Sequence, residues 1–187
     1  FKNGDHPRDY EKDHPGFDIS AIVRAAYNNL IYKKQEGAST ITQQLIKNTL
    51  LTPEKTISRK VKEIILAFWA ERVYTKDEIL KMYFNEAPYG GPAWGIEAAS
   101  QTYFGKSARD LTLSEAAFLA GLPASPTQFS PYGTSPHLAK SRQRYVLQRM
   151  VEDGYLTQAQ AEAAYLEELA ITPPTNNINA PHFVMYV

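Results

Sequence analysis

The 187-residue chain contains no cysteine. This absence excludes disulfide bonds, thiol catalysis and thiolate metal sites. Histidine is also scarce, with four residues at positions 6, 14, 137 and 182. No two of them have the His-x-x-x-His spacing of a metal site on a helix. The composition therefore gives no support for a dedicated metal centre.

An excess of charge of one sign is missing too, because twenty Lys and Arg residues balance twenty Asp and Glu residues. We therefore expect no nucleic-acid partner, and any anion site must be formed locally by a few placed cations. No run approaches the ~20 apolar residues of a membrane span, and no signal peptide opens the sequence. Since the chain begins and ends in apolar residues, we interpret it as a piece of a longer protein.

Apolar residues recur at helical spacing through most of the chain, and no segment shows the alternation of a strand. We therefore predict an all-α fold. The second predicted helix begins at Ser39 or Thr40 and runs to about Leu51. Further helix starts are predicted from N-caps, prolines and capping boxes, at Asp18, Thr52-Pro53, Thr75, Thr112, Ser135-Pro136 and Thr157.

Two stretches rich in glycine and proline interrupt this pattern, at residues 87–95 and 122–131. Loops on a helical scaffold often carry binding residues. We expect most of the aromatic residues around the first loop to lie in the core, although an exposed one could stack on a sugar or touch lipid. The polar, proline-containing stretch that begins at residue 173 predicts a domain boundary. We expect one domain over 1–172 and a linker toward a following module over 173–187.

Residues 39–48 combine hydroxyl, amide and ammonium groups. On a helix, Thr40, Gln43, Gln44 and Lys47 are joined by three- and four-residue spacings, so they are expected to form one polar stripe. Sugars and phosphates are bound by such a mixture of groups. The alternative is a solvated helix face behind an N-terminal cap, and the spacing alone favours that alternative.

Residues 55–63 hold a second candidate cluster. Arg59 and Glu63 are four positions apart and Lys60 and Glu63 are three apart, so the three side chains are neighbours on a helix. The cations would keep Glu63 ionised, and together with Lys47 and Lys55 they leave an excess of positive charge that suits pyrophosphate. The alternative is a surface ladder of ion pairs, each worth less than ~1 kcal/mol.

Taken in order, four segments resemble the motifs of the peptidoglycan glycosyltransferases (glycosyltransferase family 51), the domain found in class A penicillin-binding proteins. The segments are Glu-Gly-Ala-Ser-Thr-Ile-Thr-Gln-Gln-Leu-Ile-Lys-Asn (36–48), Arg-Lys-Val-Lys-Glu (59–63), the stretch 83–106 around Glu-Ala-Pro-Tyr-Gly-Gly-Pro-Ala-Trp-Gly, and 111–126 around Glu-Ala-Ala-Phe-Leu-Ala-Gly-Leu-Pro. The resemblance extends over about residues 14–170.

The resemblance implies a lysozyme-like helical lobe with a small hydrophobic lobe near the membrane. It implies an enzyme that polymerises lipid II into β-1,4-linked glycan by inverting displacement of undecaprenyl pyrophosphate. Its partners would be lipid II, the growing glycan, other proteins of cell wall synthesis and the outer face of the bacterial cytoplasmic membrane, reached through an anchor absent from this sequence. No cofactor would be required, although a divalent cation such as Mg or Mn could contribute.

The same resemblance assigns site residues. Glu63 matches the second essential glutamate of the family, and Lys60 is its catalytic neighbour. Residues expected to bind substrate are Arg24, Ser39, Thr40, Gln43, Gln44, Lys47, Asn48, Lys55 and Arg59.

The first motif of the family, which carries the general-base glutamate, is not intact in this sequence. Counting back from Arg24 places that glutamate near Pro7, and Phe1 could be the phenylalanine of the motif displaced by an insertion over residues 2–13. The base would then lie upstream of Phe1. Glu11 is the alternative within this chain.

Two other functions remain open. A lysozyme-like lytic enzyme would cleave glycan, but it needs a glutamic acid kept protonated in an apolar setting. The cations around Glu63 favour the opposite state. A non-catalytic module that binds glycan or lipid is the other alternative, and only an activity assay separates it from a synthase.

Overall fold

The computed structural model describes residues 39–52, 54 and 56–173, and these residues fold into helices and loops. Their only β interaction is an isolated antiparallel bridge between Pro88 and Trp94. The prediction of an all-α fold is confirmed for this part of the chain. Its α-helices are α1 (Ile41–Leu50), α2 (Ile57–Val73), α3 (Lys76–Glu86), α4 (Ile96–Phe104), α5 (Leu113–Gly121), α6 (His137–Glu152) and α7 (Gln158–Leu166), with short 3₁₀ turns at Ala108–Asp110 and Leu122–Ala124.

Threonine caps begin most of these helices. Thr75, Thr112 and Thr157 each form the predicted capping box, in which the hydroxyl accepts from the N3 backbone N–H and the N3 side chain accepts from the cap's own N–H. Thr40 forms a fourth box at the start of α1, with Gln43 as the N3 residue. Each box satisfies two backbone donors that a helix start otherwise leaves unpaired.

The prediction of a helix starting after Thr52 is wrong. Helix α2 begins at Ile57, and its N-cap is Thr56, whose hydroxyl accepts a hydrogen bond from the backbone N–H of Arg59. Thr52 lies outside any helix. Both threonines satisfy the local preference for a hydroxyl at the N-cap, so the sequence offered two starts and the later one is used.

The core has two main parts. In the first, α1 packs against α2 and α3, with Ile41, Leu45 and Ile79 forming a buried cluster. In the second, α5 is the central helix, because it packs against α4, α6 and α7. Phe118 and Leu119 of α5 are almost completely buried there. Helix α5 is apolar on nearly all sides, as expected for a helix surrounded by others.

Buried polar contacts tie these helices together. Thr42 on α1 donates a hydrogen bond to the carboxylate of Glu71 on α2, and the same carboxylate pairs with Lys76 at the start of α3. Between α5 and α6, the amide of Gln143 donates to the backbone and side-chain oxygens of Ser114 at 2.8 and 2.9 Å. Buried groups of this kind fix the relative position of helices, because losing a partner is costly.

The loop at residues 87–95 is fixed by its own hydrogen bonds. Tyr89 N–H donates to Ala93 O at 2.9 Å and Gly95 N–H to Ala87 O at 3.0 Å. The hydroxyl of Tyr103 on α4 donates to Tyr89 O at 2.9 Å. These bonds make the loop a compact hairpin-like connection from α3 to α4 rather than an open excursion.

Helix α2 carries a row of exposed apolar side chains at four-residue spacing, formed by Ile57, Val61, Ile65, Trp69 and Val73. The row lies on the side of α2 that does not face α1 and α3. Among the described residues, no helix is both long and apolar enough to cross a bilayer.

Candidate active site

Glu63 lies in the second turn of α2 and is almost completely buried, with 1% of its surface exposed. Both of its carboxylate oxygens are bound by cations. Arg59 Nη1 donates to Oε2 at 2.8 Å, and Lys60 Nζ pairs with Oε1. The contacts follow from the (i, i+4) and (i, i+3) spacings on one helix. A buried carboxylate is tolerated because both oxygens are paired.

Lys60 connects this cluster to the segment before α1. Its ammonium also donates to Ser39 Oγ at 2.9 Å, although the two residues are 21 positions apart. Ser39 immediately precedes the N-cap Thr40, so the bond joins the start of α1 to the first turn of α2. The two predicted clusters therefore form one site.

These residues line a cleft of about 530 Å³. The lining comprises Ser39, Lys47, Asn48, Leu51, Arg59, Lys60, Glu63 and Trp94. Three of these side chains are cationic and one is anionic, so the lining carries a formal excess of two positive charges. Such a local excess, in a chain of zero net charge, favours an anionic ligand.

Arg59 keeps donor capacity beyond its bond to Glu63. Its Nε is buried and has no hydrogen-bond partner among the described residues. A guanidinium offers five donors in a fixed fork, which suits the oxygens of a phosphate or carboxylate. An anion bound in the cleft could satisfy the unpaired donor.

Two of the predicted binding residues, Thr40 and Gln43, do not form part of an exposed polar stripe. Both are buried, and they form the capping box of α1, in which Thr40 N–H donates to Gln43 Oε1 at 3.3 Å. Gln44 is half-buried and donates to Ser39 O at 3.2 Å. These three residues hold the backbone around Ser39, whereas Lys47 and Asn48 reach the cleft.

Three other predicted site residues, Glu11, Arg24 and Lys55, lie outside the described residues, as does the predicted helix that starts at Asp18. The linker predicted from residue 173 is described only at Pro173. Those predictions therefore stay predictions.

Two lining residues, Leu51 and Trp94, were missed by reasoning from the sequence. Leu51 is the C-cap of α1, and a leucine after a helix carries no recognisable signal. Trp94 did carry a signal, because it lies in the glycine-rich loop 87–95, which was predicted to be a candidate binding element.

No group of three or more His, Asp or Glu side chains in the described part of the chain is arranged to hold a metal ion. The described residues place cations, hydroxyl groups and amide groups around one cleft.

The chain is similar in sequence to known proteins. A family model described as Transglycosylase matches residues 9–151. Penicillin-binding protein 1A of Rickettsia felis is 47% identical over 156 residues, which cover 81% of this chain and 20% of that protein. Penicillin-binding protein 1A of Neisseria gonorrhoeae is 46% identical over 157 residues, covering 83% of this chain and 20% of the relative.

A solved structure gives the same result. The crystal structure of penicillin-binding protein 1A from Haemophilus influenzae matches with a TM-score of 0.52 at 27% sequence identity. The match covers 78% of this chain and 18% of that protein. The chain thus spans about a fifth of the length of the relatives that it matches.

Proposed function

The chain belongs to the transglycosylase family, and from this premise we propose that it is the peptidoglycan glycosyltransferase domain of a class A penicillin-binding protein, which polymerises lipid II. The growing glycan occupies a donor site and a new lipid II occupies the acceptor site. The acceptor 4-hydroxyl loses its proton to a general base and attacks the anomeric carbon of the donor. A β-1,4 bond forms with inversion as the bond to undecaprenyl pyrophosphate breaks.

One observation carries this proposal: the buried Glu63 holds Arg59 and Lys60 together at a cleft of net positive charge. When the anomeric bond breaks, the bonding electrons leave with the pyrophosphate, which gains negative charge. Cations already aimed at that position stabilise the transition state without reorganising. Preorganised groups of this kind can lower a barrier by about 3–4 kcal/mol each.

We assign Glu63 the role of positioning these cations. Both of its oxygens bind a cation, Arg59 at one and Lys60 at the other, and this paired geometry fits a positioning role better than that of the general base. The same pairing argues against a lytic function, which needs a protonated glutamic acid to protonate a leaving oxygen. The general base is then a different residue, and the first-motif glutamate upstream of Phe1 is the candidate, with Glu11 as the alternative.

Ser39 and the residues that cap α1 form the other wall of the donor site in this proposal. Ser39 holds Lys60 through its hydroxyl, while Lys47 and Asn48 offer a cation and an amide to the sugar-phosphate. Thr40, Gln43 and Gln44 contribute by holding the backbone from which these groups project. Positioning of two large substrates supplies a further share of the rate enhancement.

The proposed setting is the outer face of the bacterial cytoplasmic membrane, where lipid II is presented and where other proteins of cell wall synthesis act. The exposed apolar row on α2 is compatible with contact to lipid. The proposed reaction needs no cofactor, and a divalent cation could assist by neutralising the departing pyrophosphate.

An assay with purified lipid II and the full-length protein tests the proposal. Formation of glycan polymer supports a synthase. Shortening of pre-formed glycan would identify a lytic enzyme instead, and binding of lipid II without turnover would identify a binding module. Either of the last two results would overturn the proposed activity.

A further inference from the structure

Trp94 is the one large aromatic side chain of the loop 87–95 that faces solvent. It is 57% exposed, whereas Tyr89 in the same loop is 1% exposed. Trp94 lines the cleft together with Glu63 and the two cations bound to that carboxylate. We propose that Trp94 is a sugar-binding residue, whose indole stacks on a pyranose ring of the glycan bound next to the anion site. This inference rests on the function proposed above.

The loop holds Trp94 in place from both sides. Its backbone bridges to Pro88, and Gly95 follows it with φ of +81°, a conformation that other residues rarely adopt. A Cβ at Gly95 would lie 2.5 Å from Asn85 O. The backbone on either side of the indole is therefore fixed. With its backbone fixed, a tryptophan has only two side-chain torsions to restrict when a ligand packs against it, so the entropy cost of binding is low.

The position of Trp94 has no explanation in core packing. More than half of its surface is exposed, and none of the aromatic pairs found among the described residues includes its ring. An exposed indole leaves apolar area in water at a cost that binding can recover. The ring face carries partial negative charge, and the axial C–H groups of a pyranose carry partial positive charge, so the two surfaces are complementary.

The neighbours of Trp94 indicate which sugar it would contact. Lys47, Arg59 and Lys60 favour the phosphate oxygens of a ligand in the same cleft. An aromatic face beside such cations suits a sugar joined directly to an anionic group. In the proposed reaction that sugar belongs to the donor, the lipid-linked end of the growing chain.

The chain provides a matched control in its other tryptophan. Trp69 on α2 is 56% exposed, almost the same as Trp94, but it does not line the cleft. Three variants of the full-length protein change Trp94. Trp94→Ala removes the ring, Trp94→Tyr keeps a planar face, and Trp94→Leu keeps an apolar side chain without a planar face. The control, Trp69→Ala, removes an equally exposed ring outside the cleft. Thermal unfolding confirms that each variant is folded.

Two readouts are needed, one of which does not require turnover. Isothermal calorimetry measures binding of a soluble β-1,4-linked N-acetylhexosamine oligosaccharide, and a polymerisation assay gives KM and kcat for lipid II.

We expect Trp94→Ala to weaken oligosaccharide binding and raise KM by roughly tenfold, equivalent to about 1.4 kcal/mol. The change in kcat should stay within about threefold. Trp94→Tyr should recover most of the loss, and Trp94→Leu should not; Trp69→Ala should bind oligosaccharide like the parent.

The stacking role is overturned if Trp94→Ala binds oligosaccharide as the parent does, or if Trp94→Leu recovers binding as well as Trp94→Tyr. It is also overturned if the parent binds no oligosaccharide. These results are distinguishable from failure of the proposed function. A parent protein that makes no polymer but loses oligosaccharide binding on Trp94→Ala would refute the synthase and retain the sugar contact. If the parent polymerises lipid II normally and Trp94→Ala is unaffected in both readouts, the synthase is retained and the sugar contact is refuted.

Discussion

Lys60 Nζ donates a hydrogen bond to Ser39 Oγ at 2.9 Å while the same ammonium pairs with Glu63. The contact joins two segments that lie 21 positions apart in the sequence. A lysine side chain is flexible on its own, and here two partners on different elements restrict it. The ammonium is thereby fixed in the lining of the cleft, where the proposed leaving group would gain charge.

Substitution of Ser39 by alanine tests this contact. The variant removes one charge-assisted hydrogen bond and leaves the pair between Lys60 and Glu63 intact. We expect polymerisation to fall by roughly tenfold to a hundredfold, because such a bond contributes about 1.5–3 kcal/mol. Ser58→Ala is the control, since Ser58 is exposed on α2 and does not line the cleft. Equal rates for the two variants would show that Ser39 does not position Lys60.

A second prediction concerns stability. Thr42→Val removes the hydroxyl that donates to Glu71 in the contact between α1 and α2. The side chain of Glu71 is only 5% exposed. Loss of a donor to its carboxylate should therefore lower the free energy of unfolding by about 1–3 kcal/mol. Urea denaturation measures the change. Thr49→Val is the control and should alter it by less than about 0.5 kcal/mol, because Thr49 is exposed and its hydroxyl donates only within α1, to Leu45 O at 2.9 Å.

Local features of the fold could be predicted from the sequence, and contacts distant in sequence could not. The capping boxes at Thr75, Thr112 and Thr157 were predicted correctly because each depends only on residues three positions apart. The pairs of Glu63 with Arg59 and Lys60 follow from the same helical geometry.

The bond from Ser39 to Lys60 could not be predicted in this way, since it depends on how α1 packs against α2. The burial of Thr40 and Gln43 has the same origin: helical spacing places them on one stripe, but only tertiary packing decides whether that stripe meets solvent. The N-cap of α2 was placed at Thr52 instead of Thr56 because local preference does not choose between two threonines. Trp94 lines the cleft because of the path that the loop 87–95 takes, and helical spacing does not predict that path.

A third prediction concerns pH. Burial raises the pKa of Glu115, but the hydrogen bond and charge of Lys106 and the backbone N–H of Thr112 together outweigh it, so the pKa lies below its ordinary value of 4.5. A lowered pKa means that the ionised form stabilises the folded state. This contribution is complete above the ordinary pKa and is lost as the pH falls through the lowered value.

Urea denaturation at several pH values between about pH 6 and pH 3 measures this effect. Stability should decline across that range, and Glu115→Gln should reduce the decline. Glu162→Gln, at an exposed position on α7, is the control and should leave the slope unchanged. A slope in Glu115→Gln equal to that of the parent would show that the ion pair with Lys106 does not contribute to acid sensitivity.

The fourth prediction concerns the loop that carries Trp94. Gly95→Ala places a Cβ 2.5 Å from Asn85 O at a φ of +81°, so the backbone must shift and stability should fall by about 1–3 kcal/mol. Gly91→Asn is the matched control, because a Cβ there meets nothing within 4 Å and asparagine tolerates the left-handed conformation. Thermal unfolding compares the two. Equal stability would mean that the loop is not fixed by its contact with α3.

In the proposed mechanism, Glu63 holds the two cations that stabilise the leaving pyrophosphate. The most direct test compares lipid II polymerisation by the full-length parent and its Glu63→Gln variant, with circular dichroism to verify the fold. We predict loss of polymerisation by more than about a hundredfold, since both Arg59 and Lys60 lose their charged partner and removing one such stabilising group costs about 10²–10³ in rate. Near-normal polymerisation by a folded Glu63→Gln variant would show that the charge of Glu63 is not needed to hold these cations for catalysis.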